Sequence, residues 1–287
     1  MPPSAHPLRN SLVGVQGAED GKIESASNQD IDRVAIGLQL KSCPLVRTVG
    51  VKCNLEDYSP EELRLIRNAA TIYFPTPHFV EAIAAMGKKT FPSVECYRYL
   101  GDKIKQTVLF KLLDIPIPNT RFFYGSKQRE AILKAFPFPF VGKIAVGSGG
   151  GEGVHLIEDS ASLDAYLRTT RVAYIQEYVR LRRDLRIVIL GKRVAVSYWK
   201  EAAPGEFRTN LARGGRVLPD PVPHEALELA LEVATRCNFD HTGLDLCQHQ
   251  GGFLVIEANM NFGKKGFRMA DIDYKELLND LVKSGEI

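Results

Sequence analysis

The sequence predicts a mixed α/β protein of the α+β type, and three observations carry that reading. At 287 residues and 45% hydrophobic content, the chain can bury a substantial core and divides into two or three subdomains. From Arg33 onward, short β-prone runs alternate with stretches of helical periodicity. Helical stretches open on capping chemistry, as in Ser59-Pro60-Glu61-Glu62, where a capping box coincides with proline at the first helical position.

In chain order, residues 1–31 are polar, rich in Ser, Gly, Asn and Pro, and lack sustained periodicity, so an irregular arm is expected there. Strands are expected over 34–40 and 45–51, then a helix from the capping box to residue 70 and a short strand over 71–74. Thr76-Pro77 reads as the cap of a helix running to Met86, and Ser93 as the start of one that breaks near Gly101. A helix from 102 to 113 carries Lys103, after which Pro116 and Pro118 force extended chain toward a strand at 121–124. Further strands are expected at 139–146, 154–157, 174–179 and 187–190, with helices at 222–238 and 274–283.

The most informative stretch follows the helix at 222–238. Gly243-Leu244-Asp245-Leu246 and Phe253-Leu254-Val255-Ile256-Glu257-Ala258-Asn259 flank a Gly251-Gly252 turn, which is a hairpin signal. With Gly251 at its centre, Asp245 stands opposite Glu257. Period-two alternation then places Leu244, Leu246, Leu254, Ile256 and Ala258 on a core face, and Asp245, Cys247, Val255, Glu257 and Asn259 on the other. Paired β carbons lie roughly 4.5 to 5.5 Å apart, so two carboxylates there repel unless a cation is shared. Two carboxylates and an amide oxygen are hard ligands of the kind magnesium takes, with positions left for water and phosphate. A solvated hairpin face is the bland alternative.

Lys143 stands within an apolar run, Pro139-Phe140-Val141-Gly142-Lys143-Ile144-Ala145-Val146, that reads as a buried strand. An ammonium held there is costly without an anion. Gly147-Ser148-Gly149-Gly150-Gly151-Glu152-Gly153 follows, with five glycines in seven residues, more than a tight turn needs. Its backbone N–H groups can close on a phosphate. No Gly-Lys-Ser/Thr follows, and a second strand rather than a helix comes next, which excludes a Walker A loop and a dinucleotide fingerprint. What remains is strand, glycine flap, strand.

Further on, Gln176-Glu177-Tyr178-Val179 ends a strand-like run whose backbone groups suit an adenine edge. Asp184 and Arg186 take alternate positions before the strand at 187–190, and Arg208-Thr209-Asn210-Leu211-Ala212-Arg213-Gly214-Gly215 forms a polar, glycine-ended loop. Singly, each is more often a surface ion pair or a loop than a site.

The formal charge of +3 is mild, and Arg180-Leu181-Arg182-Arg183 is the dense basic cluster, so neither nucleic acid nor a membrane surface is demanded. Five cysteines without metal-type spacing suit a reducing cytoplasm, with buried thiols as the default. No apolar run reaches the roughly 18 residues of a spanning helix, and the start Met1-Pro2-Pro3-Ser4 lacks the pattern of a signal peptide.

Taken in this order, the residues resemble the ATP-grasp enzymes, and specifically the RimK-like family of glutamate ligases. The resemblance covers 92–266 and rests on Asp102-Lys103, Val141-Gly142-Lys143 with the flap, Gln176-Glu177-Tyr178-Val179, Asp184-Leu185-Arg186, Gly205-Glu206-Phe207-Arg208-Thr209-Asn210, Arg213-Gly214-Gly215, Gly243-Leu244-Asp245 and Glu257-Ala258-Asn259. It implies two α+β lobes sandwiching a nucleotide, at 92–180 and 181–287, behind a shortened α/β domain at 32–91. It also implies that Lys103, Lys143 and the flap residues Ser148, Gly149, Gly150 and Gly151 contact ATP phosphates, and that Gln176, Glu177, Tyr178 and Val179 hold adenine. Asp184 would lie on the ribose side with Arg186 nearby, Arg208, Thr209 and Asn210 would face the reacting phosphate, and Asp245, Glu257 and Asn259 would hold two Mg²⁺ ions, or Mn²⁺. After Asn259 the run Met260-Asn261-Phe262-Gly263 lacks the family's serine and proline, which alters a wall near the acceptor.

The implied activity is an ATP-dependent carboxylate–amine ligase working through an acyl phosphate, with Arg208, Asn210 and Lys143 as the catalytic set. Its substrates would be a small-molecule or peptide carboxylate and an amino-acid amine, glutamate first; a homo-oligomer is compatible with the sequence. Two other readings stay open: a regulatory protein that binds nucleotide without turnover, and nucleic-acid binding through residues 180–183, which predicts steep salt dependence and no need for magnesium.

Overall fold

The computed structural model describes residues 32–125, 127–147, 153–218 and 220–287. The arm expected over 1–31 lies outside these. Two compact units form: one holds the described residues up to Arg98 with 238–241 and 263–287, the other 99–237 and 242–262.

In the first unit, β1 (Arg33–Ala35), β2 (Arg47–Thr48), β3 (Thr71–Tyr73) and β4 (Lys89–Phe91) make a parallel sheet in the order β2-β1-β3-β4. Helices α1 (Pro60–Asn68), α2 (Val80–Ala85) and α3 (Val94–Arg98) accompany it. The capping box forms as read: the Ser59 hydroxyl accepts from Glu62 N at 3.2 Å, and the Glu62 carboxylate accepts from Ser59 N at 2.7 Å, worth about 1 kcal/mol. Both early strands are shorter than expected. After Ala35 the chain tightens into a 3₁₀ turn at Leu38–Leu40, and Val46 N is taken by Cys43 O in a turn rather than by a ladder. Thr76 O accepts from Phe79 N and Val80 N, so Thr76-Pro77 makes a turn and α2 starts at Val80. Val34, Ile36, Tyr58, Ile66, Ile72 and Ile83 form the core.

The second unit begins with α4 (Lys103–Leu112). It continues through β5 (Thr120–Tyr124), α5 (Gln128–Ala135), β6 (Phe140–Lys143), β7 (Val154–Ile157), α6 (Ser160–Leu167) and β8 (Val172–Glu177). These strands pair antiparallel in the order β5-β8-β6-β7. Phe123, Ile132, Phe136, Phe140, Ile157 and Leu163 form one core between this sheet and its helices. A second sheet, β11-β10-β9-β12-β13, contains β9 (Arg183–Leu190), β10 (Arg193–Glu201), β11 (Arg216–Leu218), β12 (His241–His249) and β13 (Gly252–Asn259). Helix α7 (His224–Cys237) packs against β9, β10 and β13. The residues it buries are Ala226, Ala230, Val233, Ala234 and Cys237, a stripe at helical spacing small enough to bring the helix close to the sheet.

The chain ends in α8 (Lys265–Met269) and α9 (Tyr274–Lys283). Residues 263–287, expected with the second lobe, group with the first unit instead. The apolar stripe of α9, Tyr274, Leu278, Leu281 and Val282, is buried there, Arg33 donates to Val282 O at 3.2 Å, and the Tyr73 hydroxyl donates to Ile287 O at 3.0 Å.

The hairpin register places Asp245 opposite Glu257 and Gly243 opposite Asn259, as read. Beyond this point a bulge intervenes and Leu246 pairs with Val255. One extra residue on β13 reverses the faces below it. Val255, expected on the polar face, is therefore fully buried, while Ile256, expected in the core, lines the pocket described next. The freed Val255 N donates to Pro116 O at 2.8 Å.

Candidate active site

Both sheets of the second unit line one open-mouthed pocket. From one sheet come Lys143, Gln176 and Glu177, with Tyr178 and Val179 just beyond β8; from the other come Asp184, Asp245 and Glu257; the loop after β10 brings Arg208, Thr209 and Asn210, and α4 brings Lys103. Arg186 and Asn259 reach the same cluster through their contacts with Asp245. Ser148, Gly149, Gly150 and Gly151 lie outside the described residues.

Lys143 ends β6 with its side chain buried, and no carboxylate stands within ion-pairing distance of it among the described residues. Its ammonium lies 5.8 Å from the centroid of the Tyr174 ring. Burial pushes its pKa down; Glu257 pulls partly back, and Lys103 adds to the depression. The strand is fastened behind it by Tyr166, whose hydroxyl donates to Lys143 O at 2.7 Å and accepts from Tyr174 N at 3.0 Å. Lys103 is brought beside it because Lys103 N donates to Ala145 O at 2.9 Å, which clasps the start of α4 to the chain after β6.

At the other wall the carboxylates already have cations. Arg186 forks onto Asp245, Nε to Oδ1 at 2.7 Å and Nη2 to Oδ2 at 2.9 Å, and Lys200 Nζ adds a contact of 2.9 Å to Oδ1. Burial alone would raise the Asp245 pKa, but these two cations overcome it and hold the carboxyl below its usual range. The Asn259 amide donates to Asp245 at 3.1 Å and to Glu257 at 2.9 Å. The expected repulsion between the facing carboxylates is thus answered inside the protein. Lys200 also lies 3.2 Å from Asp184. Asp184, expected on the ribose side, is therefore one ammonium away from Asp245.

Local sequence explains this geometry. Lys200 pairs directly with Asp184 across β9 and β10, so period-two alternation turns Asp184, Arg186 and Lys200 to one face. Gly243 makes the Arg186 fork possible: a Cβ there would stand 3.1 Å from Arg186 Nη1 and 2.9 Å from Phe262 Cβ. Gln106 of α4 clamps β13 beside the carboxylates, donating to Ala258 O at 2.9 Å and accepting from Ala258 N at 3.1 Å. Arg208 is forked onto Glu206 at 2.9 and 2.7 Å and donates to Val154 O at 3.3 Å. Its hydrogen bonds draw the Glu206 carboxyl down to about 2. The loop folds back because Gly215 has no side chain to meet Thr209 O, which a Cβ would approach to 2.7 Å.

Sequence reasoning missed Lys200 and named Glu206 within a motif without giving it a role. Lys200 carries a signal like the one that exposed Lys143, a lone cation in an apolar strand run, here after Val194-Ala195-Val196-Ser197-Tyr198-Trp199. The basic cluster at 180–183 is a surface feature: Arg183 pairs with Asp220 at 2.6 Å and stacks on Trp199. All five cysteines are free. No helix among the described residues is long and apolar enough to cross a membrane.

The pattern of the RimK-like ATP-grasp domain matches residues 101–281. The chain belongs to the RimK-like ATP-grasp family. Among curated proteins, it is 30% identical over 176 residues to a probable alpha-L-glutamate ligase of Alkalilimnicola ehrlichii, covering 59% of this chain and 58% of that one. It is 33% identical over 180 residues to beta-citrylglutamate synthase B of Danio rerio, covering 59% and 44%. The chain thus spans less than two thirds of the curated relatives it matches. Among solved structures, the RimK domain protein ATP-grasp from Sphaerobacter thermophilus superposes with a TM-score of 0.62 at 16% identity, over 86% of this chain and 98% of that one. D-alanine–D-alanine ligase from Bacillus anthracis superposes at 0.65 and 12% identity, over 88% and 96%. At these identities the likeness is one of fold, and the fold is ATP-grasp.

Among the described residues no three His, Cys, Asp or Glu side chains gather as a metal cluster. What stands there instead is two carboxylates facing each other and an amide bridging them, all oxygen-bearing. That set suits a hard divalent ion with positions left for phosphate.

Proposed function

We propose that this RimK-like chain is an ATP-dependent, ADP-forming ligase that joins a carboxylate to the amine of an amino acid through an acyl phosphate. The observation that carries the reading is a pocket with, on one wall, a buried lysine that no carboxylate among the described residues pairs and, on the other, facing carboxylates. A polyphosphate with its divalent ions supplies the anion for the first and the cations for the second.

Carboxylate and amine do not condense in neutral water, so the acid is first phosphorylated by the terminal phosphate of ATP, releasing ADP, and the amine then displaces phosphate. Lys143 and Arg208 neutralise charge on the transferring group, and Asn210 donates to it; positioning in a closed, dry site does the rest. Asp245, Glu257 and Asn259 would hold Mg²⁺, or Mn²⁺, whose chemistry when bound is to neutralise phosphate charge and orient the chain of phosphates. Gln176, Glu177 and the backbone at Tyr178 and Val179 would take adenine. Glutamate is the amine proposed first, because the names of both the Alkalilimnicola and the Danio relatives contain it. The acceptor carboxylate is a small molecule, a peptide or a protein terminus.

The test offers acid, ATP and Mg²⁺ without amine, in the presence of hydroxylamine. A hydroxamate together with ADP is expected. AMP and pyrophosphate as products would replace phosphorylation with adenylation.

A further inference from the structure

Lys200 is a buried cation of the pocket with no part in the chemistry above. It is 3% exposed, and its ammonium lies 2.9 Å from Asp245 Oδ1 and 3.2 Å from Asp184 Oδ2. Asp245 has no acceptor capacity to spare. A carboxylate offers about four lone-pair positions, and Arg186 Nε, Arg186 Nη2, Lys200 Nζ and Asn259 Nδ2 supply four donors. Asp184 is the opposite case: it lines the same pocket beside the Thr209 side chain, which helps to hold its charged form, and among the described residues its buried Oδ1 has no partner within hydrogen-bond distance.

A divalent ion that takes Asp245 must displace one of those donors. The Arg186 fork is planar and doubly bonded, whereas Lys200 is a point charge on a flexible stem already touching a second carboxylate. We propose that Lys200 is a placeholder cation: without metal it holds Asp245 in position, and it yields that carboxylate to a divalent ion by moving wholly onto Asp184, whose empty Oδ1 becomes its new acceptor. This rests on the metal assignment of the ligase reading. Its consequence is that the metal site is disfavoured until nucleotide phosphates add their own oxygens, so metal and nucleotide enter together. Lys200 is in this sense a positioning residue, acting through Asp245.

The test is Mn²⁺ binding, followed by the loss of the free-ion electron paramagnetic resonance signal, with and without a non-hydrolysable ATP analogue. Wild type is expected to bind Mn²⁺ with the analogue and far more weakly without it. Lys200→Met is expected to tighten nucleotide-free Mn²⁺ binding by about tenfold or more, clearly beyond the effect of Lys143→Met, which removes a cation that does not touch Asp245. Asp184→Asn is expected to weaken binding, since Lys200 then has only a neutral amide oxygen to move onto. A purely structural role would lower the melting temperature of both Lys200→Met and Asp184→Asn without moving Mn²⁺ affinity in opposite directions. Unchanged affinity in Lys200→Met, or an equal gain in Lys143→Met, overturns the placeholder. If Lys200→Met does not fold, unchanged or tighter binding in Asp184→Asn overturns it. Failure of wild type to bind Mn²⁺ even with the analogue overturns the metal assignment itself.

Discussion

On β6, Lys143 is 5% exposed and no carboxylate among the described residues stands within ion-pairing distance of it; on β9, β10 and β12, Asp184, Lys200 and Asp245 are buried just as deeply, and each touches an opposite charge. Both walls serve one pocket, yet one carries its electrostatic strain openly and the other has resolved it. An unpaired buried charge weakens the free protein and is relieved by a ligand of opposite sign. A paired one is stable without ligand and must be opened to accept one. On the proposed function, the lysine wall is thus ready for phosphate, while the carboxylate wall has to exchange an internal cation for an external one.

The sharpest way to break this comparison is at Asp245. Asp245→Asn leaves Arg186 and Lys200 facing a neutral amide, so turnover should vanish and the metal-free protein should also lose about 3 to 5 kcal/mol, read by urea unfolding. Glu257→Gln should abolish turnover with little loss of stability, because Glu257 accepts only from Asn259 among the described residues. Equal stability in the two variants would mean that the Arg186 and Lys200 contacts hold nothing.

Lys143→Met should reduce kcat/KM by about a hundredfold or more while leaving the nucleotide-free protein as stable or more so. Its folded pKa is lowered, so the unfolded chain binds the proton more tightly. The wild type should therefore gain stability from this group as pH rises through the lowered folded value toward the unfolded one. That gain should be absent in Lys143→Met, and a large loss of stability at neutral pH would reveal a structural ion pair instead.

A smaller effect is expected at Glu206, which holds Arg208 through two hydrogen bonds and is not among the residues lining the pocket. Glu206→Gln should reduce kcat about tenfold with KM for ATP nearly unchanged, since one of two fork bonds to Arg208 is weakened. A change confined to KM would place Glu206 in binding rather than positioning.

The smallest effect is expected in the other unit, where Asp240 is a buried carboxylate with no cation in contact among the described residues. It accepts from Ser93 N at 2.8 Å, and burial pushes its carboxyl up to about 6. With a raised folded pKa, its contribution is fully present below the unfolded value and is lost as pH rises through about 6. Asp240→Asn should therefore be more stable than wild type by about 1 to 2 kcal/mol at pH 7, the difference shrinking toward zero near pH 4. A constant difference across that range would remove ionisation as its cause.

The hairpin shows how much was legible. Turn chemistry and alternation place Asp245 opposite Glu257, because a two-stranded register is fixed by the few residues between its arms. The same alternation misplaces Val255 and Ile256, because a bulge adds one residue without a mark in composition. The capping box at Ser59 and the buried Lys143 were equally readable, each being a local pattern with a local cause. Lys200 was missed although its pattern matches that of Lys143, because a lone cation gains meaning only when its neighbours across the sheet are known.

The sequence by itself determined the alternation of elements, the family, the facing carboxylates and the lysine within the apolar strand run, all set by spacing along a few residues. Tertiary structure alone decided which charges meet. Arg186 and Lys200 lie 59 and 45 residues from Asp245, and their convergence depends on the pairing of β9, β10 and β12 and on the missing side chain of Gly243. It likewise decided that 263–287 group with the first unit, because an amphipathic helix such as α9 specifies that its stripe must be buried but not which apolar surface will bury it.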